Sequence, residues 1–262
     1  MGLRVASTIV PRKLGQHLLI RKSILDRIAD AACGDGVPLV IEIGPGKGAL
    51  TEPLLERAGK VVAIEVDPYF VHYLTQKFAD AIGQGRLMLI EGDVLKTDLS
   101  AWGPTAVAGN LPYYITSPIL ERLFSLGEVW TRAVFLVQAE VAARLAASPG
   151  NRDFGYLSVQ TQLFSKPEIL FPVARTAFRP PPKVDSAVVR LEPRQPADFE
   201  ITDRAAFLRF ASLCFRQKRK TLRNNLADAY GKERVDAIEG IGRRAEQLSV
   251  AQLAELYRRL GE

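Results

Sequence analysis

The chain has 262 residues, of which 47% are hydrophobic and 24% charged, a balance that suits an ordinary globular protein with one large core or one large and one small domain. Its net charge of +6 and pI near 9.4 favour a polyanionic partner. Cys33 and Cys214 are too few for a disulfide scaffold, and with only His17 and His72 beside them a His/Cys metal site is not expected. No leader signature and no apolar run of membrane-spanning length is read, so the expectation is a cytoplasmic protein whose chemistry runs without a metal and without a catalytic histidine.

Residues 1–25 carry Arg4, Arg12, Lys13, Arg21 and Lys22 and no acid. Pro38-Leu39-Val40-Ile41-Glu42-Ile43 then predicts a short buried strand. Gly44-Pro45-Gly46-Lys47-Gly48 follows at once, and a helix is predicted from Ala49 to about Arg57. Glycines at this place permit a tight turn and close approach of backbone to a ligand. A second strand over residues 60–64 runs into Glu65, which stands 21 residues after Gly44, close to the ~20 expected of an acid that binds ribose hydroxyls. A third strand over residues 86–90 ends in Glu91-Gly92-Asp93, where Asp93 can accept from an adenine amino group. Three successive strands thus present Gly, Glu and Asp at their carboxyl ends, where open α/β sheets bind ligands. The spacing also admits a nicotinamide dinucleotide. The turn, however, reads G-x-G-x-G with a proline inside it, and no Gly-Lys-Ser/Thr marks a P-loop.

A fourth strand over residues 105–108 leads to Asn110-Leu111-Pro112-Tyr113, and helix-forming sequence resumes at Thr116. Asn and Pro are ordinary turn residues. The same four also hold a planar amide, a fixed carbonyl and an aromatic ring beside a flat substrate, the groups needed to grip the exocyclic amine of adenine, cytosine or glutamine. With Asp93 upstream, S-adenosylmethionine and a second, flipped base fit best. A fifth strand covers residues 133–137. A late hairpin pairs residues 169–171 with residues 187–191, and residues 192–198 read as a linker. Residues 203–262 show only helical patterns, interrupted at Gly231, Gly240 and Gly242. Within them, residues 204–227 hold seven basic side chains and no acid, and Arg216, Lys218, Arg219, Lys220 and Arg223 are the candidate phosphate contacts. The fold class is α/β: a mostly parallel central sheet over residues 1–192, followed by a small all-α domain over residues 199–262.

Segments spread over nearly the whole chain resemble the rRNA adenine N6-dimethyltransferases, of the bacterial small-subunit (KsgA, or RsmA) type. They run in the family's order: Gly15-Gln16-His17-Leu18-Leu19, E-I-G-P-G-K-G-A-L-T at residues 42–51, Glu65-Val66-Asp67, Gly92-Asp93-Val94-Leu95 and N-L-P-Y-Y-I-T from Asn110. Gln138-Ala139-Glu140-Val141, G-Y-L-S-V from Gly155, F-R-P-P-P-K-V-D-S-A-V-V from Phe178 and F-R-Q-K-R-K-T-L-R-N-N-L from Phe215 complete the set. Three positions depart from the pattern: Leu18 where Phe is common, Ala139 where a basic residue is usual, and Lys218 where Arg is common.

The resemblance implies a Rossmann-like class I methyltransferase that dimethylates N6 of two adjacent adenines in a loop near the 3′ end of small-subunit rRNA. Its cofactor is S-adenosylmethionine, and a monomer acting on a pre-small ribosomal subunit is expected. Gly44 and Gly46 would line the methionine side, Glu65 the ribose and Asp93 the adenine, with His17 and Leu19 in an amino-terminal segment folded over the cofactor. Asn110, which also borders the cofactor, would accept from the target amine together with the Leu111 or Pro112 carbonyl. Tyr113 would stack on one face of the base and Phe178 close the other. The alternatives are the large-subunit enzyme of the antibiotic-resistance type and a non-catalytic nucleic-acid-binding relative. G-Y-L-S-V and the basic segment argue against the first, and the intact cofactor loop and N-L-P-Y against the second.

Overall fold

A computed structural model describes residues 17–112 and 115–261. The amino-terminal basic side chains Arg4, Arg12 and Lys13, and Tyr113, lie outside the described residues. The chain opens with a two-residue strand β1 (Leu18–Leu19) and helix α1 (Lys22–Cys33), then alternates through β2 (Val37–Ile43), α2 (Thr51–Arg57), β3 (Ala58–Glu65), α3 (Pro68–Lys77), α4 (Ala79–Gly83) and β4 (Leu87–Glu91). It continues through β5 (Thr105–Asn110), α5 (Thr116–Ser125), β6 (Trp130–Gln138), α6 (Ala139–Leu145) and α7 (Tyr156–Phe164) to β7 (Ser165–Val173), β8 (Phe178–Arg179) and β9 (Ser186–Pro193).

The seven-stranded sheet has the order β4-β3-β2-β5-β6-β9-β7. β2 to β6 pair in parallel; β9 runs antiparallel to β7, as the late hairpin predicts, and also to β6. The chain steps from β2 outward to β4 and then returns to β5 on the other side of β2. That reversal makes the gap beyond β2 and β5 the switch point, where such sheets leave a crevice. The central strands are buried on both faces, so they read as continuous apolar runs. One hydrophobic cluster gathers Ile28 and Leu54 on the α1–α2 face, and a second gathers Ile119 and Leu120 on the other.

Beyond the sheet lie only helices among the described residues: α8 (Arg204–Cys214), α9 (Leu222–Tyr230), α10 (Lys232–Asp236) and α11 (Val250–Arg259), with short 3-10 turns. Their core is Phe207, Phe210 and Tyr257, whose rings meet at 5.4–6.2 Å, and it also takes in Phe154, Val159 and Leu163 from the α7 region. The segment expected as a linker is more ordered than its composition suggests. Glu192 and Pro193 belong to β9, Pro196–Phe199 form a 3-10 turn, and Arg194 pairs with Asp198 at 3.2 Å. No helix among the described residues is long and apolar enough to cross a membrane.

Candidate active site

A cavity of about 850 Å³ opens at the switch point, within the range of small-molecule sites. Ten of the residues singled out in the sequence border it: His17, Leu19, Gly44, Gly46, Glu65, Asp93, Asn110, Leu111, Pro112 and Phe178. Arg216, Lys218, Arg219, Lys220 and Arg223 do not; they stand on the helical region.

The floor is made by strand ends. Gly44 and Gly46 adopt φ +66° and +55°, a left-handed conformation open to glycine, and a Cβ at Gly44 would stand in open space on the cavity side. Glu65, 2% exposed, ties the loop to the next strand: its Oε2 accepts from Gly46 N at 2.9 Å, and its Oε1 from Val66 N and Asp67 N at 2.9 and 3.0 Å. The acid assigned to ribose therefore also builds the glycine turn. Asp93 Oδ1 caps its own turn by accepting from Leu95 N at 3.0 Å, and no described residue donates to Oδ2.

The Asn110–Pro112 corner is also resolved atom by atom. Asn110 Nδ2 donates to the His17 carbonyl at 3.2 Å, which turns Oδ1 away from that contact as the amide's acceptor. The Pro112 carbonyl takes two donors, Ile115 N at 3.1 Å and Thr116 Oγ1 at 3.3 Å, both at the start of α5. Both lone pairs are thus engaged, and among the described residues no backbone N–H donates to the Leu111 carbonyl beside Asn110. The Leu111 side chain itself is core, 1% exposed.

The roof is the two-stranded sheet in which β1 pairs antiparallel with β8, Leu18 opposite Arg179 and Leu19 opposite Phe178. Leu19 and Phe178 are each 3% exposed and share a core cluster while bordering the cavity. His17 Nδ1 donates to the Pro180 carbonyl at 2.8 Å and Ile20 N to the Ala177 carbonyl at 2.9 Å, so β1 is stitched along its length. Leu18, the departure from the usual Phe, sets a methyl 3.6 Å from where a Cβ on Gly46 would be.

Sequence reasoning missed one group on the wall. Glu42, 1% exposed, accepts from the Thr51 hydroxyl at 2.6 Å. Burial, opposed by that hydrogen bond and reinforced by the nearby Glu65 charge, pushes its carboxyl up to about 8. The available signal was an acid inside an otherwise apolar strand. The cysteines are inert: burial raises the Cys33 thiol to about 11 and raises Cys214 as well. Among the described residues no group of His, Cys, Asp and Glu could hold a metal ion.

A mostly parallel sheet with this order and a crevice at its switch point defines a Rossmann-like class I methyltransferase. The chain belongs to the ribosomal RNA adenine dimethylase family, whose model matches residues 10–262. It is similar to Ribosomal RNA small subunit methyltransferase A of Acidobacterium capsulatum, at 44% identity over 95% of this chain and 90% of that protein. The proteins of the same name from Xanthomonas euvesicatoria pv. vesicatoria (43%, 94% of each chain) and Chlorobium luteolum (42%, 95% and 89%) are similar too. Among solved structures, a dimethyladenosine transferase from Plasmodium falciparum superposes with a TM-score of 0.76 at 27% identity, covering 94% of this chain and 98% of that one. The 23S rRNA methyltransferase ErmE superposes at 0.71 with 29% identity, covering 94% and 100%. The protein is thus an rRNA adenine dimethyltransferase, and its family implies S-adenosylmethionine as methyl donor.

Proposed function

We propose that this enzyme dimethylates N6 of two adjacent adenines in a loop near the 3′ end of small-subunit rRNA, acting as a cytoplasmic monomer on a pre-small ribosomal subunit. Relatives at 42–44% identity over nearly the whole chain bear the small-subunit name, whereas the large-subunit enzyme ErmE is 29% identical. The observation that carries the reading is the pairing of the Asn110 amide oxygen and the Leu111 carbonyl on the chamber that also holds Gly44, Glu65 and Asp93.

The donor set suits S-adenosylmethionine: the half-buried Gly44, with the buried Gly46 beside it, would line its methionine part, Glu65 would face the ribose, Asp93 Oδ2 would take an amine, and His17, Leu19 and Asn110 would close over it. When bound, that cofactor supplies an electrophilic methyl group. The protein's task is adenine N6, whose lone pair is delocalised into the ring. Asn110 Oδ1 and the Leu111 carbonyl accept the two N6 hydrogens and favour a pyramidal, nucleophilic nitrogen. The sequence motif assigns Tyr113 to stacking on the base and Phe178 to closing its other side. Positioning and polarisation carry the catalysis, with no strong base. Residues 1–192 supply this chemistry, and residues 199–262 the RNA grip through Arg216, Lys218, Arg219, Lys220 and Arg223. The test is methyl transfer from labelled S-adenosylmethionine to unmethylated small and large subunits. Label confined to small subunits supports the reading, and preference for large subunits overturns it.

A further inference from the structure

Among the chamber acids without an assigned role, Glu42 is the buried one. Glu42 lies on the wall near the end of β2, buried, with the Thr51 hydroxyl as its hydrogen-bond donor. Its neighbour Glu65 is satisfied by three backbone N–H groups. Among the described residues, no lysine or arginine forms an ion pair with Glu42. A buried carboxylate without such support requires a cation or a proton.

The charges around it do not supply the cation. Lys77 on α3 acts on Glu42 from a distance, but its ammonium is engaged by Glu52 of α2 at 2.8 Å and by the Lys47 carbonyl at 3.2 Å. Glu56 on α2 and Asp26 on α1, paired with Arg57 at 3.3 and 3.7 Å, and Asp93 beyond β4 border the same chamber and bring no cation to Glu42. Lys22 on α1 and Lys47 in the glycine turn are the other cations of the wall, and neither bonds to Glu42; His17 on the roof and Tyr73 on α3 complete its titratable groups. The protonated state is therefore the resting one near neutrality, in line with a carboxyl pushed up to about 8.

We propose that Glu42 discriminates the methyl donor from its spent product by charge, ionising when a sulfonium ligand enters the chamber and reprotonating when the ligand sulfur is a neutral thioether. The inference rests on the chamber being the S-adenosylmethionine site. On entry of the cation, the carboxyl O–H bond breaks, its electron pair stays on Glu42 and the proton passes to buffer. Once the methyl has left, the sulfur carries no charge. Glu42 then recovers a proton from solvent, and its attraction for the ligand is lost. The donor is thereby favoured over the product, and more so as pH rises toward the pKa of the free protein.

Calorimetry of the full chain near pH 7, in two buffers of different ionisation enthalpy, counts the protons exchanged on binding S-adenosylmethionine and S-adenosylhomocysteine. Wild type is expected to release on the order of one proton with the donor that Glu42→Gln does not release, and the two proteins should match with the product. Ionisation of the ligand's own amino group cancels between the two proteins. The donor-to-product affinity ratio should rise several-fold from pH 6 to 8 in wild type and stay flat in Glu42→Gln. Thr51→Val, which keeps the acid and removes its donor, should move that rise to higher pH. Equal proton release by wild type and Glu42→Gln overturns the proposal, as does equal release with donor and product. If Glu42→Gln does not fold, an unmoved pH window in Thr51→Val overturns it. A wild type that binds neither ligand overturns instead the reading of the chamber.

Discussion

Replacing Asn110 by alanine removes both the N–H that meets the His17 carbonyl and the oxygen left for the incoming amine. We expect Asn110→Ala to weaken S-adenosylmethionine binding modestly, through the lost tie to His17, and to lose methyl transfer by a further factor of about 10²–10³, the scale of losing one aimed polar group in an active site. Near-normal turnover on small subunits would rule out polarisation by this amide. Glu65 behaves differently, because it satisfies three backbone donors as well as facing the chamber. Glu65→Ala should weaken donor binding by roughly 1.5–3 kcal/mol and lower the melting temperature too, since buried N–H groups are left unpaired. Binding loss with unchanged stability would show that the turn does not depend on it. Glu42 fixes a pH dependence of stability. Its folded value of about 8 lies above the ordinary 4.5, so its contribution is complete below about 4.5 and is lost as pH rises through about 8. In thermal melts, Glu42→Gln should lack this decline, and parallel wild-type and mutant curves would contradict the assignment.

At the scale of elements, the roof is the part most open to perturbation, since β1 and β8 have two residues each and, among the described residues, pair only with one another. Phe178→Ala removes the ring opposite Leu19. We expect faster amide hydrogen exchange at Ile20, whose N–H is held by the Ala177 carbonyl, with protection retained in β2 through β6. Uniform loss of protection across the sheet would place Phe178 in the global core instead. This roof also marks where sequence reading stops. β2 to β6 were legible because short apolar runs bounded by glycines and acids are what a doubly covered parallel sheet requires. Two-residue strands carry no periodicity, and the pairing of Leu19 with Phe178 is a tertiary choice. The same holds for Pro112, whose carbonyl is taken by the first turn of α5, a competition visible only in space.

Across the whole molecule, the basic run of residues 204–227 is free of acids in sequence but not in space. Arg216 pairs with Asp228 at 3.3 Å, and Arg223 with Asp236 through two bonds of 2.5 and 2.7 Å. Lys218 donates to the Arg152 carbonyl, which borders the run with a further arginine from the loop before α7. Arg219 and Lys220 are exposed and form no ion pair among the described residues. Substituting Lys218, Arg219 and Lys220 together by Gln should weaken subunit binding and flatten its salt dependence by about two to three units of log–log slope, with donor affinity unchanged. Arg216 and Arg223, already neutralised in part, should contribute less each. Superimposable salt curves for wild type and the triple variant would make these side chains surface decoration.

Because β1 pairs with β8, the binding chamber has a birth order. During synthesis Leu19 leaves the ribosome 159 residues before Phe178. At ~5–20 residues per second that is a wait on the order of ten to thirty seconds. The strands that make the floor are all in hand by then, yet the amide of Asn110 has no docked His17 carbonyl to align it and Leu19 has nothing to cover. A nascent chain can therefore assemble the parallel strands β2 to β6 early and still lack a closed vessel. Competence arrives as a late, nearly single event when the segment that follows β7 emerges, and a truncated product would carry every strand-end acid of the floor without the means to enclose a ligand over them.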